Sequence, residues 1–285
     1  MSRENRLSEV YSSDGLTPEA ARLFRQIVYR HYRRHGRTLP WRETRDPYAI
    51  LLSEIMLQQT QVDRVAGKYG AFLSAFPDFS SLAAAPLDAV LAVWQGLGYN
   101  RRALNLKRCA AALVADHDGA LPSSITELEK LPGIGHYTAR AVAAFAFSVP
   151  SVIIETNIRT VFIHHFFHDQ EKVHDREIAP LVEGALDHDN PREWYYALMD
   201  YGAHLKRLHG NPSRRSAHHA IQSPFRGSNR QLRSMILKAI LDKPGITFEE
   251  IMAFLSKPHE AILINLKQME AEGFITNRKG RLFIA

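Results

Sequence analysis

Two glutamates stand in surroundings of opposite kind. Glu54 lies inside Ile50-Leu51-Leu52-Ser53-Glu54-Ile55-Met56-Leu57, a helical stretch so apolar around its circumference that it reads as buried. A carboxyl group desolvated there has its pKa raised and can keep its proton near neutral pH, which makes a general acid. The same spacing aligns Glu54 with Gln58 and Gln61, as a plain polar stripe would. Glu155 follows Val152-Ile153-Ile154 and precedes Thr156-Asn157, a capping pair ahead of a helical run over 158–167. Near a helix N-terminus free N–H groups and the dipole favour a carboxylate. A solvated helix cap would look the same. If both glutamates are functional, they pair an acid with an anionic stabiliser or nucleophile.

A second constellation is the string Leu131-Pro132-Gly133-Ile134-Gly135-His136-Tyr137-Thr138-Ala139-Arg140. It joins two helical segments through a hairpin whose glycines, Gly133 and Gly135, let the backbone approach a ligand closely. The helix that follows opens with free N–H groups, a geometry that suits a DNA phosphate gripped without reading base sequence.

The elements that must hold these groups are mostly helical over 17–205. Proline in the first turn opens a helix at Pro47, another begins over 123–127, and 82–94, 102–114 and 180–185 add helical segments. The composition then shifts over 206–228 to His, Arg, Ser, Asn, Pro and Gly, a linker signature. Beyond it, 230–242 is helical, Thr247-Phe248-Glu249-Glu250 is a capping box, and a third helix spans about 258–272. Phe274-Ile275-Thr276 and Arg281-Leu282-Phe283-Ile284 flank Asn277-Arg278-Lys279-Gly280, a hairpin signal. Three helices and a basic-tipped hairpin spell a winged helix.

The 285 residues, 45% hydrophobic, suffice for two domains. No apolar run approaches the ~20 residues that span a bilayer, so a membrane protein is not expected. The N-terminal residues lack the apolar core of a secretion signal, which points to the cytoplasm, or the nucleoid in a bacterium. One cysteine, Cys109, excludes an internal disulfide or a multi-thiolate metal site. The net charge is +6, but from Lys206 onward there are 14 Lys and Arg against 6 Asp and Glu, leaving −2 for the rest. A basic segment on a near-neutral body suits nucleic acid.

The hairpin string resembles the helix-hairpin-helix of base-excision DNA glycosylases related to endonuclease III. Leu39-Pro40-Trp41-Arg42, Ser53-Glu54-Ile55-Met56-Leu57-Gln58-Gln59-Thr60-Gln61-Val62, Gly96-Leu97-Gly98-Tyr99 and Leu198-Met199-Asp200-Tyr201-Gly202-Ala203 are, in that order, similar to MutY-type adenine DNA glycosylases. The resemblance covers about 25–205. It implies an all-α fold with two helical subdomains and a cleft between them, followed here by the winged helix with its small β-hairpin. The expected domains are 1–205, with about 40–147 as the central subdomain and 1–39 with 148–205 as the second, a basic linker over 206–226, and a winged helix over 227–285.

The resemblance also implies hydrolysis of the N-glycosidic bond of a flipped base, with adenine opposite 8-oxoguanine or guanine as the expected target. Same-fold thymine or uracil removal opposite guanine, and a non-catalytic DNA-structure binder, are the alternatives. Protonating the departing base improves the leaving group while an anion stabilises the developing oxocarbenium. By resemblance Glu54 is the acid and Glu155 the anion, although the family has Asp at the second position. The Schiff-base lysine of bifunctional relatives is replaced by Tyr137, which implies a monofunctional hydrolase with Tyr137 and Asn157 positioning groups around the carboxylates. Gln59 and Tyr99 occupy positions that enter the duplex, Arg42 and Gln58 lie near the base pocket, and Gly133, Gly135 and Thr138 hold phosphate. In the winged helix, Arg278, Lys279 and Arg281 are placed to touch DNA.

Family members continue with four cysteines, C-x6-C-x2-C-x5-C, holding an iron-sulfur cluster. That spacing lands here on Lys206, Ser213, Ser216 and Gln222, so no cluster, no metal and no other cofactor is expected. His209, His218 and His219 read as parts of the basic linker. The expected partner is double-stranded DNA with a mispaired or damaged base, bound by a monomer.

Overall fold

The computed structural model describes residues 2–168, 170–221 and 224–285. Among these, the first helices are α1 (Arg3–Asp14), α2 (Pro18–His35), the short α3 (Pro40–Glu43), α4 (Pro47–Leu57) and α5 (Val62–Ala75). Next come α6 (Phe79–Ala84), α7 (Leu87–Trp94), α8 (Arg101–Asp116), the single turn α9 (Ile125–Leu128) and α10 (His136–Phe147). Then follow α11 (Thr156–Phe166), α12 (Asp175–Ala185), α13 (Pro191–His209) and a 3-10 turn at Pro212–Arg215. The C-terminal part holds α14 (Asn229–Asp242), β1 (Ile246–Thr247), α15 (Phe248–Leu255), α16 (His259–Glu272), β2 (Ile275–Arg278) and β3 (Arg281–Ile284).

Local chemistry sets many boundaries. Thr17 caps α2 through the amide of Ala20, and the Asp46 carboxylate accepts from the amides of Tyr48 and Ala49 at the start of α4. The segment 82–94, read from sequence as one helix, is two, because Pro86 interrupts the chain between α6 and α7. Helix α1, which the charged N-terminal sequence did not announce, is capped by Ser2 and buries Leu7. In the C-terminal part the expected box is present, with Thr247 and Glu250 each bonding the other's backbone. Lys279 and Gly280 both have positive φ, 53° and 79°, the two-residue turn that matches strand twist and joins β2 to β3. The sheet order is β1-β3-β2, all antiparallel. This is the winged helix.

Internal contacts divide the chain into two compact units that do not follow chain order. The first comprises Met1–Leu51, Pro122–Lys130 and Ile134–Ile221, and the second Leu52–Leu121, Leu131–Gly133 and Gln222–Ala285. The first thus takes α10, which the sequence reading placed in the central subdomain. The cause is its apolar face: Ala141, Ala144 and Phe145 join one core with Phe24, Ile158, Phe162, Trp194 and Leu198. In the second unit α8 packs on α6 and α7, and Phe72 meets Trp94 edge-on at 5.7 Å.

The region expected as a linker begins inside α13, which runs to His209. Its next residues are tied into the first unit. Arg215 donates to the carbonyls of Phe167, His168 (2.6 Å) and Ile163 (3.3 Å), a cation on the carboxyl end of α11, where the dipole favours it. Val173 and Ala217 extend the tie by a bridge, with Val173 N–H donating to Arg215 O and Ala217 N–H to Val173 O, both at 2.9 Å.

Candidate active site

The first unit carries Glu155. The side chain of Glu155 itself, and not the Thr156-Asn157 pair, caps α11: Oε1 accepts from the amides of Asn157 at 2.7 Å and Ile158 at 3.0 Å. Its other oxygen accepts from Asn157 Nδ2 at 3.3 Å. Asn157 Oδ1 in turn accepts from the Lys206 ammonium at 2.8 Å. Burial pulls the Lys206 pKa below the usual lysine range, and the nearby Glu155 charge opposes that pull. The neighbouring cation, Arg159, is spent on a two-pronged pair with Asp175, both bonds at 2.7 Å.

Lys206 reaches this site because α13 crosses the start of α11 at very short range. A Cβ on Gly202 would lie 2.2 Å from the Asn157 carbonyl oxygen, so only glycine fits, and Lys206 sits one turn further on the same face. Tyr137 is half-buried on α10 and packs against the core of this unit.

The second unit carries Glu54, which is only 6% exposed. The polar-stripe reading does not survive, because α4 ends at Leu57 and Gln58 lies in the turn beyond. Gln59 and Tyr99 both adopt left-handed backbone, φ 53° and 48°, a strained state for bulky residues that clusters at functional sites. They line one cleft of about 1170 Å³ together with Gln58, Arg64, Arg101 and Arg230.

Arg102, which the sequence reading missed, holds that cleft in shape. Buried on α8, its guanidinium donates to the carbonyls of Ile55 (2.8 Å), Met56 (2.8 Å), Gln58 (2.6 Å), Leu97 (3.2 Å) and Gly98 (3.0 Å), and to Thr60 Oγ1 (3.0 Å). One side chain thereby ties the end of α4 to the glycine loop that carries Tyr99. Burial lowers its pKa to about 10, which leaves it charged at neutral pH.

The winged helix contributes to the same unit. Arg230 donates to the Tyr99 hydroxyl, and its guanidinium carbon lies 5.3 Å from that ring's centre. Glu272 pairs with Arg101 and Arg233, each at 2.5 Å. Arg278, Lys279 and Arg281 are exposed on the hairpin; Arg281 donates to Gly245 O at 3.2 Å.

The hairpin string forms the turn into α10. Gly133 has φ 79°, and a Cβ there would meet Asn105 Cβ at 2.6 Å, which accounts for glycine. Gly135 caps α10 with no side-chain bond to its N–H groups. Thr138, expected among the phosphate contacts, is 3% exposed. Its side chain is packed inside. Arg42 is likewise engaged within its own unit. Its side chain is 7% exposed, grips Asp200 with bonds of 2.8 and 2.9 Å, and lies over the Tyr196 ring. An arginine so engaged braces α3 against α13.

The cluster positions do not fit iron and sulfur. Lys206 is bonded to Asn157, Ser213 Oγ donates to Asn211 at 2.7 Å, and Ser216 Oγ accepts from the His218 amide at 3.0 Å. Gln222 lies outside the described residues. An ammonium and two hydroxyls offer no thiolate. Among the described residues no group of three or more His, Cys, Asp or Glu could hold a metal ion, and no helix is long and apolar enough to cross a membrane.

Residues 52–183 match the family model of the HhH-GPD superfamily base excision DNA repair protein. Residues 52–183 carry this superfamily's domain. The chain is 38% identical over 192 residues to the adenine DNA glycosylase of Buchnera aphidicola subsp. Baizongia pistaciae, covering 67% of this chain and 54% of that one. It is 32% identical over 192 residues to the human adenine DNA glycosylase, covering 63% and 35%. The chain thus spans about half the length of the first of these curated relatives and a third of the second. Among solved structures, a thermostable thymine-DNA glycosylase superposes with a TM-score of 0.57 at 26% identity, over 64% of this chain and 86% of that one. A trapped endonuclease III–DNA covalent intermediate superposes with a TM-score of 0.52 at 22% identity, over 73% and 91%, and speaks for the fold alone.

Proposed function

We propose that this protein is a monofunctional DNA glycosylase that hydrolyses the bond between adenine and deoxyribose when adenine is mispaired with 8-oxoguanine or guanine. The observation that carries the reading is Glu54, a carboxyl group buried in α4 one turn before the strained Gln58-Gln59 turn that lines a basic cleft. In this reading Glu54 protonates the base, the C1′–N bond breaks with its electron pair leaving on the base, and water supplies the hydroxyl at C1′ while its remaining proton returns to the Glu54 carboxylate. Glu155 stabilises the cationic sugar, and Tyr137, lacking an amine, leaves water as the only acceptor. The partner is a DNA duplex carrying the mispair, with Gln59 and Tyr99 filling the vacated stack and Arg230, Arg278, Lys279 and Arg281 contacting the backbone. The enzyme acts as a monomer on DNA in the cytoplasm, needs no cofactor, and has a winged helix over 227–285.

Incubating the protein, in excess, with duplexes carrying A opposite 8-oxoguanine, A:G, T:G and U:G, and cleaving abasic sites with alkali, tests this. Cleavage at adenine is expected. The likeness to a thymine-DNA glycosylase supports a second reading, removal of thymine or uracil opposite guanine, which cleavage of the last two duplexes alone would select. No cleavage of any would leave a DNA-structure binder.

Glu155→Asp separates an adapted site from a degraded one. The shorter side chain still caps α11, so stability is expected to hold. It withdraws the carboxylate from Asn157 by about one C–C bond, and misplacement of ~1 Å can cost about 100-fold. A fall of that order in the single-turnover rate is expected; a rate above native would mean that the site had lost its geometry.

A further inference from the structure

Three side chains, Lys206, Asn157 and Glu155, meet in one hydrogen-bonded chain. The Lys206 ammonium donates to Asn157 Oδ1 at 2.8 Å, and Asn157 Nδ2 donates to Glu155 Oε2 at 3.3 Å. We propose that Lys206 is a positioning residue for the glycosylase reaction: it orients Asn157, and through it the Glu155 side chain.

The chemistry of the amide makes the link directional. A side-chain amide can rotate so that its oxygen and nitrogen exchange places, and with Oδ1 turned toward Glu155 it would repel the carboxylate. An ammonium can only donate. By claiming Oδ1, Lys206 forces Nδ2 toward Glu155. The carboxylate is then held at both oxygens, by two backbone amides on Oε1 and by the side-chain amide on Oε2. A glutamate has one more rotatable bond than aspartate, so a third donor matters more here than it would for the shorter residue.

Gly202 belongs to the same device. With any side chain at 202, α13 would be pushed off α11 by the Asn157 carbonyl and the ammonium would be carried out of reach. Arg159 does not substitute for it, being tied to Asp175. Arg215 fixes the chain after α13.

This inference rests on Glu155 serving the sugar, and its test is arranged so that the two can fail separately. Single-turnover adenine release from an A opposite 8-oxoguanine duplex is measured for the native protein, Lys206→Met, Lys206→Arg, Asn157→Ala and the Lys206→Met, Asn157→Ala double variant, with duplex affinity and melting temperature for each. Lys206→Met is expected to lower the rate 10- to 100-fold with affinity within threefold and the fold intact. Lys206→Arg, which can donate to the same oxygen, recovers most of that loss. The double variant is no slower than the slower single one, because both act through one chain. A Lys206→Met rate within twofold of native, multiplicative losses, or failure of arginine to improve on methionine would overturn the proposal. If the native protein releases no base, the functional reading falls. Crystal structures of the native protein and Lys206→Met then decide the positioning: the Asn157 Nδ2 to Glu155 bond is expected in the first and lost or reversed in the second, and an unchanged bond contradicts it.

Discussion

Glu54→Gln is expected to abolish base release, by about 10²–10⁴-fold, the range that a general acid contributes, while duplex affinity stays within a few-fold. The carboxyl group is buried in α4, and the reading requires it to hold a proton when substrate is bound. An uncharged amide of the same shape therefore preserves packing and hydrogen-bonding reach and removes only the transferable proton. Single-turnover cleavage under enzyme excess checks the first half, since slow product release cannot then hide the chemical step. Fluorescence anisotropy with a duplex carrying a non-hydrolysable adenosine analogue checks the second. Retention of most activity would take Glu54 out of the acid's role, and loss of binding in parallel with rate would make its role structural.

The second large effect is expected at Arg102. Arg102→Leu keeps an apolar stem but strips the donors from six carbonyls, that of Tyr99 included, and from the Thr60 hydroxyl. Each buried acceptor left unsatisfied costs about 1–3 kcal/mol. Some regain water as the loop opens, so a loss of roughly 3–5 kcal/mol is expected, which for this size of protein lowers the melting temperature by on the order of 10 °C. Urea or thermal unfolding checks it. Because Arg102 fixes the turn with Gln59 and the loop with Tyr99, duplex affinity should fall as well, even well below the melting point. A change under about 1 kcal/mol would mean that these carbonyls are hydrated in solution.

The sequence was most informative where chemistry is local. The Thr247–Glu250 box and the hairpin tip at Lys279 and Gly280 are set by residues within four positions of one another, and each stands where the spacing placed it. Glu54 was legible as buried because apolar residues surround it on one helix. Groups whose partners are distant in the chain were not. Arg102 reads as one more arginine on α8, since its acceptors lie more than forty residues upstream as well as beside it. Lys206 was legible only as a missing cysteine; its bond to Asn157 depends on the α11–α13 crossing at Gly202. The pairing of Arg42 was hidden for the same reason, because the Asp200 carboxylate that claims it arrives from α13. The assignment of α10 turned on its apolar face, which its sequence shows without naming the core it joins.

The most direct measurement of the central claim is mass-spectrometric identification of the base set free from a single duplex pool. The pool contains A opposite 8-oxoguanine and T opposite G in equal amounts, and the protein is in excess. The account predicts stoichiometric free adenine, an abasic strand that stays intact until alkali is added, and no free thymine on the same timescale. Free thymine in place of adenine, spontaneous strand cleavage through a sugar-linked amine, or no free base at all would contradict it.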